Sequence, residues 1–158
     1  MREENPADGV DGGGVWTRAF PARLTELPAI CRWTRERCAG AGMAEEPALD
    51  LELCVHELVA NLVLHGGATA RLAPVRVSLT FDGGSARVRI EDSGRPFDPL
   101  LEPERPAPAS FEELTLGGYG IPIVRHLARD LRHRREADLN ILEFTVGPSS
   151  AGPGRPVA

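Results

Sequence analysis

The stretch Leu49–His65 constrains this chain more than any other, because it is apolar on nearly every side yet carries a regular polar stripe. Leu51, Cys54, Val55, Leu58, Val59, Leu62 and Val63, with Leu49, Leu53, Ala60 and Leu64 around them, predict a buried helix. Glu57, Asn61 and His65 recur at intervals of four and so share one helical face. A carboxylate and an amide on such a helix must be hydrogen-bonded, bind an ion or face a cleft, since stranding polar groups in a dry core costs several kcal/mol. The helix therefore predicts a polar pocket, and a pocket is where function is to be sought.

The surroundings of that helix read as a sheet and two more helices. Val15–Phe20 reads as a first strand, and residues 21–41 as a helix stopped by Gly40 and Gly42. Pro47 opens the Leu49–His65 helix, and Gly66-Gly67 ends it. Val75, Val77, Leu79 and Phe81 alternate with Arg76, Ser78 and Thr80. After the turn Asp82-Gly83-Gly84-Ser85, Val88 and Ile90 alternate with Arg87 and Arg89. That pattern predicts a hairpin with one buried and one wet face. Residues 93–117 are rich in proline and too long for an ordinary connection, so they read as a lid. A helix is expected over Ile121–Asp130, a short strand near Leu131–Arg135, and a last strand over Asn140–Val146. The expected fold is α+β, a two-layer sandwich of a mostly antiparallel mixed sheet with helices packed on one face. The ordered domain is expected over 14–147, with disordered ends at 1–13 and 148–158.

Composition narrows the chemistry. The net charge is −5, which argues against nonspecific nucleic-acid binding. No apolar run reaches membrane-spanning length and residues 1–15 lack the pattern of a signal peptide, so a cytoplasmic protein is expected. Cys31, Cys38 and Cys54 have no ligand spacing and read as small buried hydrophobes. All 18 basic residues are arginine, so any phosphate must be held by arginine, backbone amides or a metal ion. There is no Gly-x-x-x-x-Gly-Lys loop, no His-Glu-x-x-His, no paired Cys-x-x-Cys and no Gly-x-Ser-x-Gly.

Three short segments carry the functional signal. They are Glu57-Leu-Val-Ala-Asn61-Leu-Val-Leu-His65-Gly66, then Asp92-Ser-Gly-Arg-Pro-Phe-Asp-Pro99, then Gly117-Gly-Tyr-Gly-Ile-Pro-Ile-Val-Arg125. In this order, with a hairpin between the first two and a lid between the last two, they resemble the N, G1 and G2 boxes of the Bergerat-fold (GHKL) ATP-binding superfamily. That superfamily includes gyrase, MutL and histidine kinases. Within it, the small size and the Glu-x-x-x-Asn-x-x-x-His-Gly wording resemble the RsbW-like anti-sigma factor serine kinases. The resemblance spans roughly residues 15–146.

The resemblance implies ATP and Mg²⁺ as cofactors and assigns roles that the residues can bear chemically. Asn61 offers a hard oxygen ligand to Mg²⁺. Glu57, one turn earlier, is implied to be the general base that accepts a substrate hydroxyl proton, its other reading being a solvated surface carboxylate. His65 either touches phosphate or a partner, or is a cation favoured at a helix C-terminus. Asp92 is implied to accept a hydrogen bond from the exocyclic amine of adenine, with Gly94 letting backbone approach the base and Phe97 beside it. Gly117, Gly118, Tyr119, Gly120 and Ile121 would present backbone N–H groups and a helix N-terminus to the phosphates. Arg105 in the lid and Arg125 on the helix are the cationic candidates.

The expected function is an ATP-dependent protein serine kinase that doubles as an anti-sigma factor. Its implied partners are a STAS-type anti-anti-sigma protein, a sigma factor and a second copy of itself, with no direct nucleic-acid or membrane contact. The alternative is a module that senses ATP and regulates a partner by sequestration without transferring phosphate. The catalytic half of a histidine kinase ranks below both, because the first box lacks a lysine.

Overall fold

The computed structural model describes residues 9–11, 14–101, 109–110 and 120–148. Their elements run β1 (Gly9–Asp11), β2 (Val15–Phe20), α1 (Leu27–Gly40), α2 (Glu45–His65), β3 (Val75–Asp82), β4 (Ser85–Asp92), α3 (Gly120–Leu127), β5 (Arg129–Glu136) and β6 (Leu139–Val146). The strands form one six-stranded sheet in the order β1-β2-β3-β4-β6-β5. Every neighbouring pair among them is antiparallel, so the mixed sheet expected from the sequence is wholly antiparallel here. The α+β two-layer architecture is as expected.

Period-two alternation decides which face of the sheet is buried. Val75, Val77 and Leu79 on β3, Ala86, Val88 and Ile90 on β4, and Leu142, Phe144 and Val146 on β6 are all closed to solvent. Register aligns them into rows, one of which is Val77–Ile90–Leu142. The helices supply the other half of the core through Leu51, Cys54, Val55, Leu58 and Val59 of α2 and Val124 of α3. Trp33 of α1 meets Phe20 of β2 edge-on, with ring centroids 5.8 Å apart. The opposite face of the sheet is wet. Thr17 and Ser78 share a hydroxyl hydrogen bond there, and Arg89 reaches both Glu91 and Glu143.

Several boundaries differ from the sequence reading. Residues 9–11, expected to be disordered, form a strand on the edge of β2. The residues read as a helix from 21 start with a single 3₁₀ turn, Leu24–Glu26, before α1. Helix α2 begins at Glu45, with Pro47 inside its first turn, where the missing N–H costs nothing. Helix α3 ends at Leu127 rather than at Asp130, because β5 already begins at Arg129. Asp130, the second residue of β5, has a φ of 53° in the left-handed region, within an irregular register between Arg129 and Arg132. Of the expected lid, residues 93–101 carry a 3₁₀ turn at Pro99–Leu101, and residues 102–108 and 111–117 lie outside the described residues.

Candidate functional site

Alternation places a carboxylate where a hydrophobe would continue the pattern. Ala86, Val88 and Ile90 point into the core, and the next residue on that face is Asp92, only 3% exposed. Burial raises its pKa, opposed by hydrogen bonds and by nearby positive charge. The backbone N–H of Gly94 donates to Asp92 Oδ1 at 2.8 Å, and Asn140 Nδ2 donates to the same oxygen at 3.1 Å. Both hydrogen bonds among the described residues end on Oδ1, which leaves Oδ2 for a ligand. Asn140 is itself 2% exposed and ties the site together. It also donates to Arg95 O at 2.9 Å and accepts from Arg135 at 2.8 Å.

The polar face of α2 meets this cluster. Asn61 lines one cleft with Leu58, Leu62, Asp92, Phe97, Pro99, His133, Asn140 and Leu142. The free space among them is about 10 Å³, room for about a single water. Apolar walls with a carboxylate and amides at one end suit a flat heteroaromatic ring carrying an amino group. Admitting a ring requires Phe97 and Pro99 to move. Phe97 is stacked on His65, with ring centroids 6.1 Å apart, so His65 packs on the segment that closes the cleft.

The glycines of the first two boxes meet one another. A Cβ on Gly94 would lie 3.0 Å from Gly66 Cα and 2.8 Å from Asp92 Oδ1. Arg95 N donates to Gly66 O at 2.9 Å, and Arg95 Nε to His65 O at 2.6 Å. The segment after Asp92 is thus stapled to the C-terminus of α2, and the guanidinium sits where a helix C-terminus favours positive charge.

Glu57 lies one turn before Asn61, partly exposed, its carboxylate 3.4 Å from His56 Nδ1. The first residue of α3 is packed against it. A Cβ on Gly120 would come within 2.5 Å of Glu57 Oε2. Glycine at 120 therefore lets the N-terminal turn of α3 approach the polar face of α2. Ile121 turns into the core at 8% exposure, so any contact it makes with a ligand is through backbone. Arg125 donates to Leu100 O and so clamps the 3₁₀ turn Pro99–Leu101. Arg105, Gly117, Gly118 and Tyr119 lie outside the described residues.

The sequence reading passed over Asn140, Arg135 and His133. A signal for Asn140 was present, because it interrupts the buried face Asn140–Leu142–Phe144–Val146 as Asp92 interrupts that of β4. The site has no thiol chemistry. Burial pushes Cys54 up to about 12 and Cys38 up to about 11. Among the described residues no group of three or more His, Cys, Asp or Glu could cage a metal ion. Asn61 fits a different kind of metal site, in which Mg²⁺ takes one or two protein oxygens and completes its shell with phosphate and water. No helix among the described residues is long and apolar enough to cross a membrane.

Comparison with known proteins agrees with this fold. A family model described as histidine kinase-like ATPase domain matches residues 20–146. A serine/threonine-protein kinase, BtrW of Bordetella bronchiseptica, is 27% identical over 95 residues, covering 60% of this chain and 67% of that protein. Among solved structures, the RsbU and RsbW domains of Rv1364c from Mycobacterium tuberculosis superpose with a TM-score of 0.61 at 20% identity, over 91% of this chain. This chain spans 34% of that one. The SiaB-SiaC complex from Pseudomonas aeruginosa gives a TM-score of 0.60 at 13% identity, over 85% of this chain and 90% of the matched one. Both show the same fold.

Proposed function

Because the chain belongs to the family of histidine kinase-like ATPase domains, we propose that it is an ATP-dependent protein serine kinase of the partner-switching type. Its substrate is a small STAS-type anti-anti-sigma protein, and its second partner is a sigma factor that it sequesters. The observation that carries this reading is the convergence of Asn61, Asp92 and Asn140 on one cleft, with Glu57 one turn from Asn61 on the same helix. The kinase named among its relatives, BtrW, supports the reaction class.

In this reading Asp92 Oδ2 accepts from the amino group of adenine, and Leu58, Leu62 and Leu142 hold the ring. Asn61 would hold Mg²⁺ through its side-chain oxygen, and the ion would supply charge neutralisation at the phosphates. The N-terminal turn of α3 faces the phosphates. The serine hydroxyl oxygen attacks the γ-phosphorus, the bond from that phosphorus to the bridging oxygen of ADP breaks, and the hydroxyl proton passes to Glu57. Positioning and charge stabilisation supply most of the rate in such transfers. Residues 93–101 close over the nucleotide, so ATP and ADP states present different lid surfaces to the two partners. The protein acts as a homodimer in the cytoplasm.

A binding-only module is the second reading, favoured by one observation. Glu57 lies beside His56 and Gly120 rather than in the wall of the cleft. Incubation with labelled ATP, Mg²⁺ and STAS proteins separates the two. The kinase reading expects a phosphoserine on one of them, lost with Glu57→Gln. ATP binding without any transfer would establish the module instead.

A further inference from the structure

We propose that His133 is a specificity-determining residue of the cleft, its Nε2 accepting a hydrogen bond from the amino group of a 6-aminopurine beside Asp92. The inference rests on the nucleotide reading above and deepens it. His133 stands opposite Leu142 in register and so extends the buried apolar stretch Val77–Ile90–Leu142 at its β5 end. Its side chain is 11% exposed and lines the same cleft as Asn61 and Asp92.

The two imidazole nitrogens have different surroundings. Nδ1 faces Asp98 Oδ2 at 3.6 Å, while Asp98 Oδ1 accepts from the backbone N–H of Leu100 at 2.8 Å. With a proton on Nδ1, toward Asp98, the neutral ring carries its lone pair on Nε2. Nε2 is buried and has no hydrogen-bond partner among the described residues. Buried polar atoms are nearly always satisfied, so an orphan in the wall of a ligand cleft marks where a ligand donor arrives. Asp92 Oδ2 and His133 Nε2 then present two acceptors to one ring edge. An exocyclic amine has two N–H groups to give them. A 6-oxopurine would place a carbonyl oxygen against both, which leaves buried acceptors unpaired and rejects the ligand.

The test is the ratio of ADP to IDP affinity by titration calorimetry, since these ligands differ only at the 6-position edge. Wild type is expected to prefer ADP. His133→Leu should weaken ADP about tenfold and leave IDP little changed, so the ratio collapses by that factor. His133→Gln, which retains an acceptor oxygen, should keep most of the preference. Should the leucine variant melt early, His133→Phe removes the acceptor in the same way. An unchanged ratio in the acceptor-free variant overturns the proposal, as does a parallel fall in both affinities, which would make His133 only a support for Asp98. Loss of ADP binding in Asp92→Asn with an unchanged ratio in His133→Leu would sink the histidine's role alone. Failure of the wild type to bind ADP would sink the nucleotide reading with it.

Discussion

Asp92 and Asn140 face each other across β4 and β6 at the same register position, and the amide of Asn140 donates to Asp92 Oδ1 at 3.1 Å. Each is the polar end of a strand face that is otherwise apolar. The pair holds one carboxylate oxygen in place and leaves the other without a hydrogen bond among the described residues. A buried, oriented acceptor of this kind contributes more to recognition than to stability.

The first prediction follows from that imbalance. Burial raises the pKa of Asp92 above its unfolded value, so the native state binds its proton more readily than the unfolded chain does. Stability contributed by this group is therefore greatest at low pH and falls as pH rises through the window from about 4 up to the native value. Asp92→Asn removes the charge. Its melting temperature should match or exceed that of wild type at pH 7, with the advantage shrinking toward pH 4. A variant less stable than wild type at pH 7, by melting curves across that range, contradicts the assignment.

Asn140 should behave in the opposite way. Asn140→Ala leaves Asp92 Oδ1 and the Arg95 carbonyl each short of a donor. Unsatisfied buried polar groups cost about 1–3 kcal/mol each, so denaturant midpoints should fall clearly. The double variant Asn140→Ala with Asp92→Asn should lose less than the two single effects combined, because the partners are coupled.

Gly94 is fixed by close approach. Its position against Gly66 and Asp92 admits no methyl group without moving the loop that begins the lid. Gly94→Ala should cost about 1–3 kcal/mol and weaken nucleotide binding together with stability. Thermal shift with and without ADP measures both.

Glu57→Gln separates chemistry from binding. The substitution keeps the shape beside Gly120 and removes the base. Phosphotransfer to the STAS substrate should fall by about 10²–10⁴-fold with ATP affinity unchanged, as measured by rapid-quench rates beside calorimetry. Equal losses in both would assign Glu57 a structural role.

Much of this arrangement is legible in the residues, and the exceptions have physical causes. The four-residue spacing of Glu57, Asn61 and His65 marks the polar face of α2, and alternation marks the buried faces of β3, β4 and β6. The strand at Gly9–Asp11 is too short for a period and is held by pairing with β2, which follows it directly in the chain. The early end of α3 goes with a strand that starts at Arg129 and takes a left-handed backbone at Asp130, which residues other than glycine adopt rarely and no pattern announces. His133 sits in a strand whose sequence, Arg129–Glu136, is polar except for Leu131. Only its place across from Leu142 shows that it faces the cleft. The pairing of Gly66 with Gly94 is a tertiary contact between segments that read separately as a helix stop and a turn.

The central claim is that Asn61 and Asp92 serve one magnesium-bound nucleotide in one cleft. Titration calorimetry of ATP, with and without Mg²⁺, on wild type, Asp92→Asn and Asn61→Ala tests it most directly. The account predicts magnesium-dependent binding to wild type, loss of at least about tenfold with Asp92→Asn, and loss of the magnesium dependence with Asn61→Ala. Affinities unchanged in both folded variants, or no binding to the wild type, would contradict it.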